Sequence, residues 1–209
     1  MNDDPLFQVL MLGAGIFVLK LWMDDRRAAA NGQPNPKALP GATPAKMSAM
    51  VIAIIGALVL LAAETWGEIK LGVDDEQSKM TALFALCTLT AAIVEEIIFR
   101  GYLVIEKRGR AVLWAGIVAA SVVFAALHQH VWKWEGGWPW ADGTFLWSNT
   151  AKGWFSTAAI FVGSLWFYTV RFAGFNPTHS LLPCFAAHAA KNLGVIAVKA
   201  AQGHLVGWW

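Results

Sequence analysis

The chain has 209 residues, of which 57% are hydrophobic and only 14% carry a charged side chain. Soluble globular domains have about 25% charged residues, so this composition indicates a membrane protein. The formal net charge is +2 and no run of lysines and arginines occurs, so we expect no nucleic-acid partner. Cys87 and Cys184 lie in apolar segments without CxxC or zinc-ligand spacing, and we interpret them as buried free thiols.

Six apolar segments are long enough to cross a bilayer as helices, which takes about 20 residues each. In chain order they cover residues 5–23, 47–66, 79–105, 111–129, 153–173 and 179–199. No segment alternates polar and apolar residues with a period of two, so a transmembrane β-barrel is not expected. We therefore predict an all-α fold, a polytopic transmembrane bundle of about six helices that forms one integral membrane domain over residues 1–209.

Two connections between these segments are long. Residues 24–46 are rich in proline, glycine and alanine, which predicts a flexible loop. The second connection, residues 129–152, contains five tryptophans: Trp132, Trp134, Trp138, Trp140 and Trp147. Because tryptophan favours the membrane–water interface, we interpret this connection as an interfacial belt or a short re-entrant lid rather than a ligand-binding aromatic box.

The distribution of lysine and arginine predicts the orientation of the chain. With the N-terminus outside, the inner connections hold Arg26, Arg27, Lys37, Lys46, Lys107, Arg108, Arg110 and Arg171. The outer side then holds Lys70, Lys79, Lys133, Lys152 and Lys199. Cytoplasmic loops carry an excess of these residues, so the eight-to-five bias favours both chain termini outside.

Ionisable side chains at membrane depth are rare and usually mark a functional site. Here they are Glu95, Glu96, Arg100, His128, His188 and Lys191, with Asn192 as a polar companion. A single buried ion pair could serve only to hold two helices together. Two glutamates, two histidines and an asparagine spread over three predicted helices indicate a site instead.

Helix geometry separates the adjacent glutamates, Glu95 and Glu96. Successive helical residues point about 100° apart, so the two carboxylates cannot face the same neighbour. Glu96 precedes Arg100 by four residues, which is the favourable order for an ion pair within a helix. Glu95 is left without a local partner, and a carboxylate in that position suits a general base.

Two further motifs supply imidazoles and an amide. FAALH ends at His128, and HAAKN places His188 and Asn192 on one helix face. An imidazole N–H and an amide NH2 are two donors that could bind a developing oxyanion. Together with Glu95 they would form a water-activating base opposite an oxyanion-binding pair. Counting about 1.5 Å per residue, however, places His128 roughly 9 Å further from the inner face than Glu95.

EEIIFR, FAALH and HAAKN resemble, in order, the EExxxR, FxxxH and HxxxN motifs of the CAAX protease and bacteriocin-processing (CPBP, or Abi) family of glutamic intramembrane proteases, which includes the type II CAAX prenyl endopeptidases. The resemblance covers residues 79–199, which would be the catalytic helix core. It implies that a glutamate and a histidine activate water while the last motif forms the oxyanion hole. The implied catalytic residues are Glu95, His128, His188 and Asn192, and the implied supporting residues are Glu96 and Arg100.

We therefore expect an intramembrane endopeptidase that cuts a membrane-associated protein or peptide without a cofactor, as a multi-pass protein of the inner membrane of a prokaryote. Two alternatives stay open. Glu95, His128 and His188 could bind a catalytic zinc ion as three N/O ligands plus water, although no HExxH motif occurs. The buried charges could instead serve packing or a proton path in a scaffold, an immunity protein or a transporter.

Overall fold

The computed structural model describes residues 4–137 and 143–208. These residues form six α-helices: α1 Pro5–Ala30, α2 Met47–Leu71, α3 Ala82–Glu96, α4 Arg110–Leu127, α5 Ala151–Phe172 and α6 Leu182–Ala201. Each helix coincides with one predicted apolar segment, so the predicted all-α bundle is confirmed. Both cysteines are free and buried, as expected from their apolar surroundings.

Among the described residues, five helices are long and apolar enough to cross a membrane: α1, α2, α3 with its continuation to Tyr102, α4 and α5. The sixth helix, α6, has 20 residues but carries His188, Lys191 and Lys199 among its apolar residues. Each of these three residues has a partner described below, His188 and Lys191 on neighbouring helices and Lys199 in the connection before α3.

Close helix packing depends on small side chains. Ala49, Ala53 and Ala57, one on each turn of α2, are fully buried. Gly56 faces the ring of Trp166 on α5 so closely that a side chain at this glycine would collide with the indole. In a bilayer, where neighbouring lipid is as apolar as a leucine side chain, such small residues allow the helix backbones to approach and gain dispersion contacts.

The connection after α1 is held against the start of α6. Helix α1 continues beyond the predicted segment end to Ala30, and the Asp25 carboxylate on this extension accepts a hydrogen bond from the backbone N–H of Leu39 at 2.8 Å. Gly41 has φ +60°, a conformation that favours glycine, and its carbonyl oxygen accepts from the Leu181 N–H at 3.0 Å. Residues 31–46 therefore fix the entry to α6.

The Trp-rich connection contains a β-hairpin that the sequence analysis did not predict. Strands β1 Trp132–Glu135 and β2 Thr144–Trp147 pair antiparallel, and the rings of Trp132 and Phe145 stack at 4.9 Å. Residues 132–135, WKWE, do alternate aromatic and charged side chains, a pattern that favours a strand, so the expectation that no segment alternates is wrong here. Trp138 and Trp140 lie outside the described residues, and the belt or lid role stays a prediction.

Candidate active site

Helix α3 ends in a widened turn where the first motif lies. After Glu96 the backbone continues as a π-helical segment, Ile97–Tyr102, which contains Arg100. The Tyr168 hydroxyl on α5 donates to the carbonyl oxygen of Phe99 at 2.6 Å. Single π-helical turns inside α-helices occur frequently at functional sites, and here the tyrosine fixes the turn to a neighbouring helix.

The ion pair expected from the spacing of Glu96 and Arg100 forms at the centre of the bundle. Arg100 Nη1 lies 3.2 Å from Glu96 Oε1, and both side chains have no exposed surface. The guanidinium plane is enclosed by aromatic rings, with Phe124, Phe167 and Tyr168 centred 4.5, 5.2 and 4.9 Å from its carbon. These cation–π contacts replace water around the buried charge.

His188 on α6 connects the two glutamates. Its Nδ1 lies 2.8 Å from Glu96 Oε1, and its Nε2 lies 3.7 Å from Glu95 Oε2. Because a carboxylate only accepts, the Nδ1 proton points at Glu96 and the Nε2 atom faces Glu95. The Phe167 ring stacks on the imidazole at 4.7 Å and fixes its plane. Glu96 therefore contacts both Arg100 and His188, a second role that the sequence analysis did not predict.

Glu95 differs from Glu96 in its surroundings. Its side chain keeps 34% of its surface exposed, whereas that of Glu96 has none. The carboxylate of Glu95 can therefore be reached from outside the packed core while it also faces His188. This difference follows from the rotation of about 100° between successive helical residues.

Asn192, one turn after His188, also faces α3. Its side-chain NH2 donates to the carbonyl oxygen of Thr88 at 3.0 Å. An amide NH2 has two N–H groups, so one remains free for another acceptor. Thr88 lies two turns before Glu95 on the same face of α3, and the contact places Asn192 on the face of α3 that carries Glu95.

His128 directly follows α4 and is exposed. Its Nδ1 lies 2.8 Å from the carbonyl oxygen of Phe124, and because a carbonyl only accepts, the neutral imidazole keeps a lone pair on Nε2. The Phe124 ring lies 4.7 Å from the His128 ring and 6.3 Å from that of His188. Within the described residues, the imidazole in contact with Glu95 is His188 and not His128.

The depth of His128 differs from the expected offset. The ring of Phe124 packs against that of Phe99 at 4.9 Å, so these two residues share a level in the bundle. Consecutive membrane-crossing helices run in opposite directions, so the residue one turn after Phe124 is level with the residue one turn before Phe99. These residues are His128 and Glu95. The residue count assumed upright helices that begin at the inner face, whereas this ring contact indicates a smaller offset.

Ionic contacts missed by the sequence analysis lie between α2 and its neighbours. Lys191, one of the ionisable residues at membrane depth, forms an ion pair with Glu64 at 2.9 Å. Glu68, one turn further along α2, forms an ion pair with Lys152. Outside α2, Lys199 donates a hydrogen bond to the Ser78 carbonyl oxygen in the connection before α3 at 2.6 Å. Glu64 and Glu68 are acidic residues in an otherwise apolar segment, and this pattern in the sequence indicates buried ionic contacts.

The described residues contain no grouped set of metal-binding side chains. Across residues 4–137 and 143–208, no three His, Cys, Asp or Glu side chains are grouped as metal ligands. Cys184 is fully buried with its thiol directed at the carbonyl oxygen of Phe167. The described side chains instead place the partly exposed Glu95 carboxylate 3.7 Å from the His188 imidazole, with the Asn192 amide on the same face of α3.

A membrane-embedded helix bundle with this carboxylate–imidazole cluster defines the class of protein. The family model of the type II CAAX prenyl endopeptidases, Rce1-like, matches residues 77–194, more than half of the chain and the whole stretch from Glu95 to Asn192. The chain belongs to this family. It is a multi-pass membrane protein and a CAAX-type peptide hydrolase. No curated protein and no solved structure matches it.

Proposed function

We propose that the protein is a glutamic intramembrane endopeptidase that hydrolyses a peptide bond of a membrane-associated protein or peptide. The observation that carries this proposal is the unequal pair of glutamates. Glu96 is fully enclosed and contacts Arg100 and His188, whereas the partly exposed Glu95 faces His188 Nε2. A carboxylate that is reachable by water and held next to an imidazole suits a general base.

Glu95 and His128 activate the water. The base takes one proton as the water oxygen bonds to the scissile carbonyl carbon, and the carbonyl oxygen becomes an oxyanion. When the carbon–nitrogen bond breaks, the departing amine receives that proton and the carbonyl re-forms. The free lone pair on His128 Nε2 and its depth level with Glu95 support this role.

His188 and Asn192 bind the oxyanion. Asn192 has one N–H left after its contact with Thr88. His188 can donate from Nε2 only as an imidazolium, and the Glu96 carboxylate on the other ring nitrogen would balance that charge. Donors fixed before the reaction stabilise developing charge strongly, because they need no reorganisation. Glu96 and Arg100 act as the support of this pair.

The proposed mechanism uses no metal or other cofactor. The zinc alternative needs lone-pair donors from Glu95, His128 and His188 on one ion. Against it stand two observations: within the described residues no three such ligands are grouped, and the Asn192 amide is a donor that suits an anion. The non-enzymatic alternatives, a scaffold, an immunity protein or a transporter, are disfavoured by membership of a peptidase family.

We propose the inner membrane of a prokaryote as the location, with the lipid bilayer and a membrane-associated substrate as partners and no nucleic acid. The test compares the termini of membrane-associated proteins in cells with the wild-type protein, with Glu95→Gln and without the protein. New C-termini or N-termini that occur only with the wild type support the proposal. Identical sets of termini in all three strains refute it.

A further inference from the structure

A serine outside the three motifs contacts the supporting arginine. Arg100 Nη2 donates to Ser164 Oγ at 2.7 Å and lies 3.3 Å from the Ser164 carbonyl oxygen. Ser164 belongs to α5, which carries none of the predicted site residues, and its side chain is fully buried. Both oxygens of one residue therefore hold one nitrogen of the guanidinium.

The direction of each hydrogen bond in this group follows from chemistry. A guanidinium can only donate, so Ser164 Oγ accepts from Arg100. The serine proton is then free, and it is donated to Ser121 Oγ on α4 at 2.9 Å. Ser121 is also fully buried. The chain Ser121–Ser164–Arg100–Glu96–His188 thus runs from α4 through α5 and α3 to α6.

The contact with Ser164 sets the orientation of Arg100 more strictly than the contact with Glu96 does. Arg100 Nη1 lies near Glu96 but without the direction of a hydrogen bond. Within the described residues, the directed hydrogen bonds of this guanidinium go to Ser164 alone. Because hydrogen bonds weaken steeply away from linearity, the serine fixes where the positive charge lies.

Water cannot take the place of the serine hydroxyl. The rings of Phe124, Phe167 and Tyr168 enclose the guanidinium, and its side chain has no exposed surface. Two of these rings, Phe124 and Phe167, also lie against His188. A shift of the guanidinium within this enclosure would therefore move both Glu96 and the imidazole.

We infer that Ser164, supported by Ser121, is a positioning residue that acts through Arg100 and Glu96 on the orientation of His188. This inference rests on the proposed function, because it gives Ser164 a part in aligning the oxyanion-binding imidazole. It also predicts a property of the resting protein, the hydrogen bond from His188 Nδ1 to Glu96, which can be measured without a substrate.

The kinetic test uses Ser164→Ala, with Ser164→Cys as a variant of nearly equal volume and Ser164→Thr as the variant that keeps the hydroxyl. The matched control is Ser156→Ala, a buried serine two turns earlier in α5. Loss of a hydrogen bond to a charged group predicts that Ser164→Ala lowers kcat about tenfold with KM unchanged. Ser164→Thr should restore most of kcat, and Ser156→Ala should match the wild type.

The second readout is the NMR resonance of the His188 Nδ1 proton, assigned by its absence in His188→Gln. Ser164→Ala should shift or broaden this resonance, and Ser156→Ala should leave it unchanged. The inference is overturned if Ser164→Ala leaves the resonance unchanged and keeps the wild-type kcat. It is also overturned if the resonance is unchanged and the loss of kcat is no larger than the loss of folded protein, as measured by the melting temperature, explains. If the wild-type protein cleaves nothing in a Glu95-dependent way, the proposed function fails while the resonance still decides the role of Ser164.

Discussion

Two adjacent carboxylates differ because a helix turns each toward a different neighbour. Glu96 points into the bundle, where Arg100 and His188 contact the same oxygen and no solvent reaches it. Glu95 points to a partly open side and faces the free nitrogen of His188. The two acids can therefore have separate tasks, one in holding charge inside the protein and one in moving a proton.

Replacing the buried acid should first damage folding. Glu96→Gln leaves Arg100 as an uncompensated buried charge and removes the carboxylate that accepts from His188. Breaking a buried pair costs on the order of 3–5 kcal/mol, so we expect a clearly lower melting temperature in detergent and poor expression. Glu76→Gln, a change of an exposed acid, is the control. A Glu96→Gln protein that is stable but inactive would instead give Glu96 the catalytic task.

Activity should not depend on a metal ion. Asn192 is engaged as an amide donor, and no three His, Cys, Asp or Glu side chains are grouped as metal ligands across residues 4–137 and 143–208. We expect turnover on an identified substrate to survive strong chelators, and purified protein to lack stoichiometric zinc. One zinc ion per chain that is lost with activity and restored with it would establish the metalloprotease instead.

The residue-scale predictions held where they depended on spacing along one helix. The Glu96–Arg100 pair follows from an interval of four residues. The bond from His188 to Glu96 joins residues far apart in sequence, and no local pattern signals it. Ser121 and Ser164 were missed for a related reason, since small polar residues inside apolar helices are common at helix contacts.

At the scale of elements, the contacts of α4 decide whether the second motif can take part. Phe124 packs on Phe99, and from this contact we infer that His128 lies level with Glu95. Counting residues along the chain cannot give the relative depth of two side chains, because the count takes no account of helix tilt or of the depth at which each helix begins. Packing of one aromatic pair between two helices supplies the missing information.

The ion pair between Glu64 and Lys191 joins α2 to α6 next to the candidate site. Their side chains keep only 19% and 11% of their surface exposed, so removing one partner leaves a charge inside the bundle. Glu64→Gln alone should lower the melting temperature, whereas Glu64→Gln with Lys191→Met should recover much of the loss. Thermal denaturation in detergent of both single variants and the double variant measures this coupling. Additive losses in the double variant would contradict it.

For the whole molecule, the connections divide between two ends of the bundle. At one end Thr178 Oγ1 donates to the carbonyl oxygen of Pro44 at 2.7 Å, which joins the connection after α1 to that after α5. At the other end the Met80 N–H donates to the carbonyl oxygen of His204 at 2.8 Å. This division is what alternating membrane crossings require.

The lysine and arginine bias then predicts which end lies in the cytoplasm. A cysteine at position 37 should be protected from an impermeant thiol reagent in intact cells, and a cysteine at position 147 should react, because the second end is predicted to lie outside. Both side chains are exposed in the fold, and the native cysteines are buried. Labelling at 37 with protection at 147 would reverse the orientation.

Much of the whole fold could be predicted from the sequence because apolar helices in a bilayer must satisfy their own backbone groups. The six helices followed from this constraint alone. The hairpin at Trp132–Glu135 and Thr144–Trp147 did not, since strand pairing joins segments whose partner no periodicity reveals. Partners in ionic contacts, such as Glu64 for Lys191, also depend on packing between helices distant in sequence.

The most direct measurement is turnover by purified wild-type protein and Glu95→Gln on one identified substrate, with melting temperatures taken on the same preparations. Glutamine keeps the size of the side chain and removes the base. We expect turnover to fall by about 10² or more, the scale of a lost general base, with the melting temperature unchanged because Glu95 is the partly exposed acid. A Glu95→Gln protein that cleaves at the wild-type rate would contradict the assignment of Glu95 as the base.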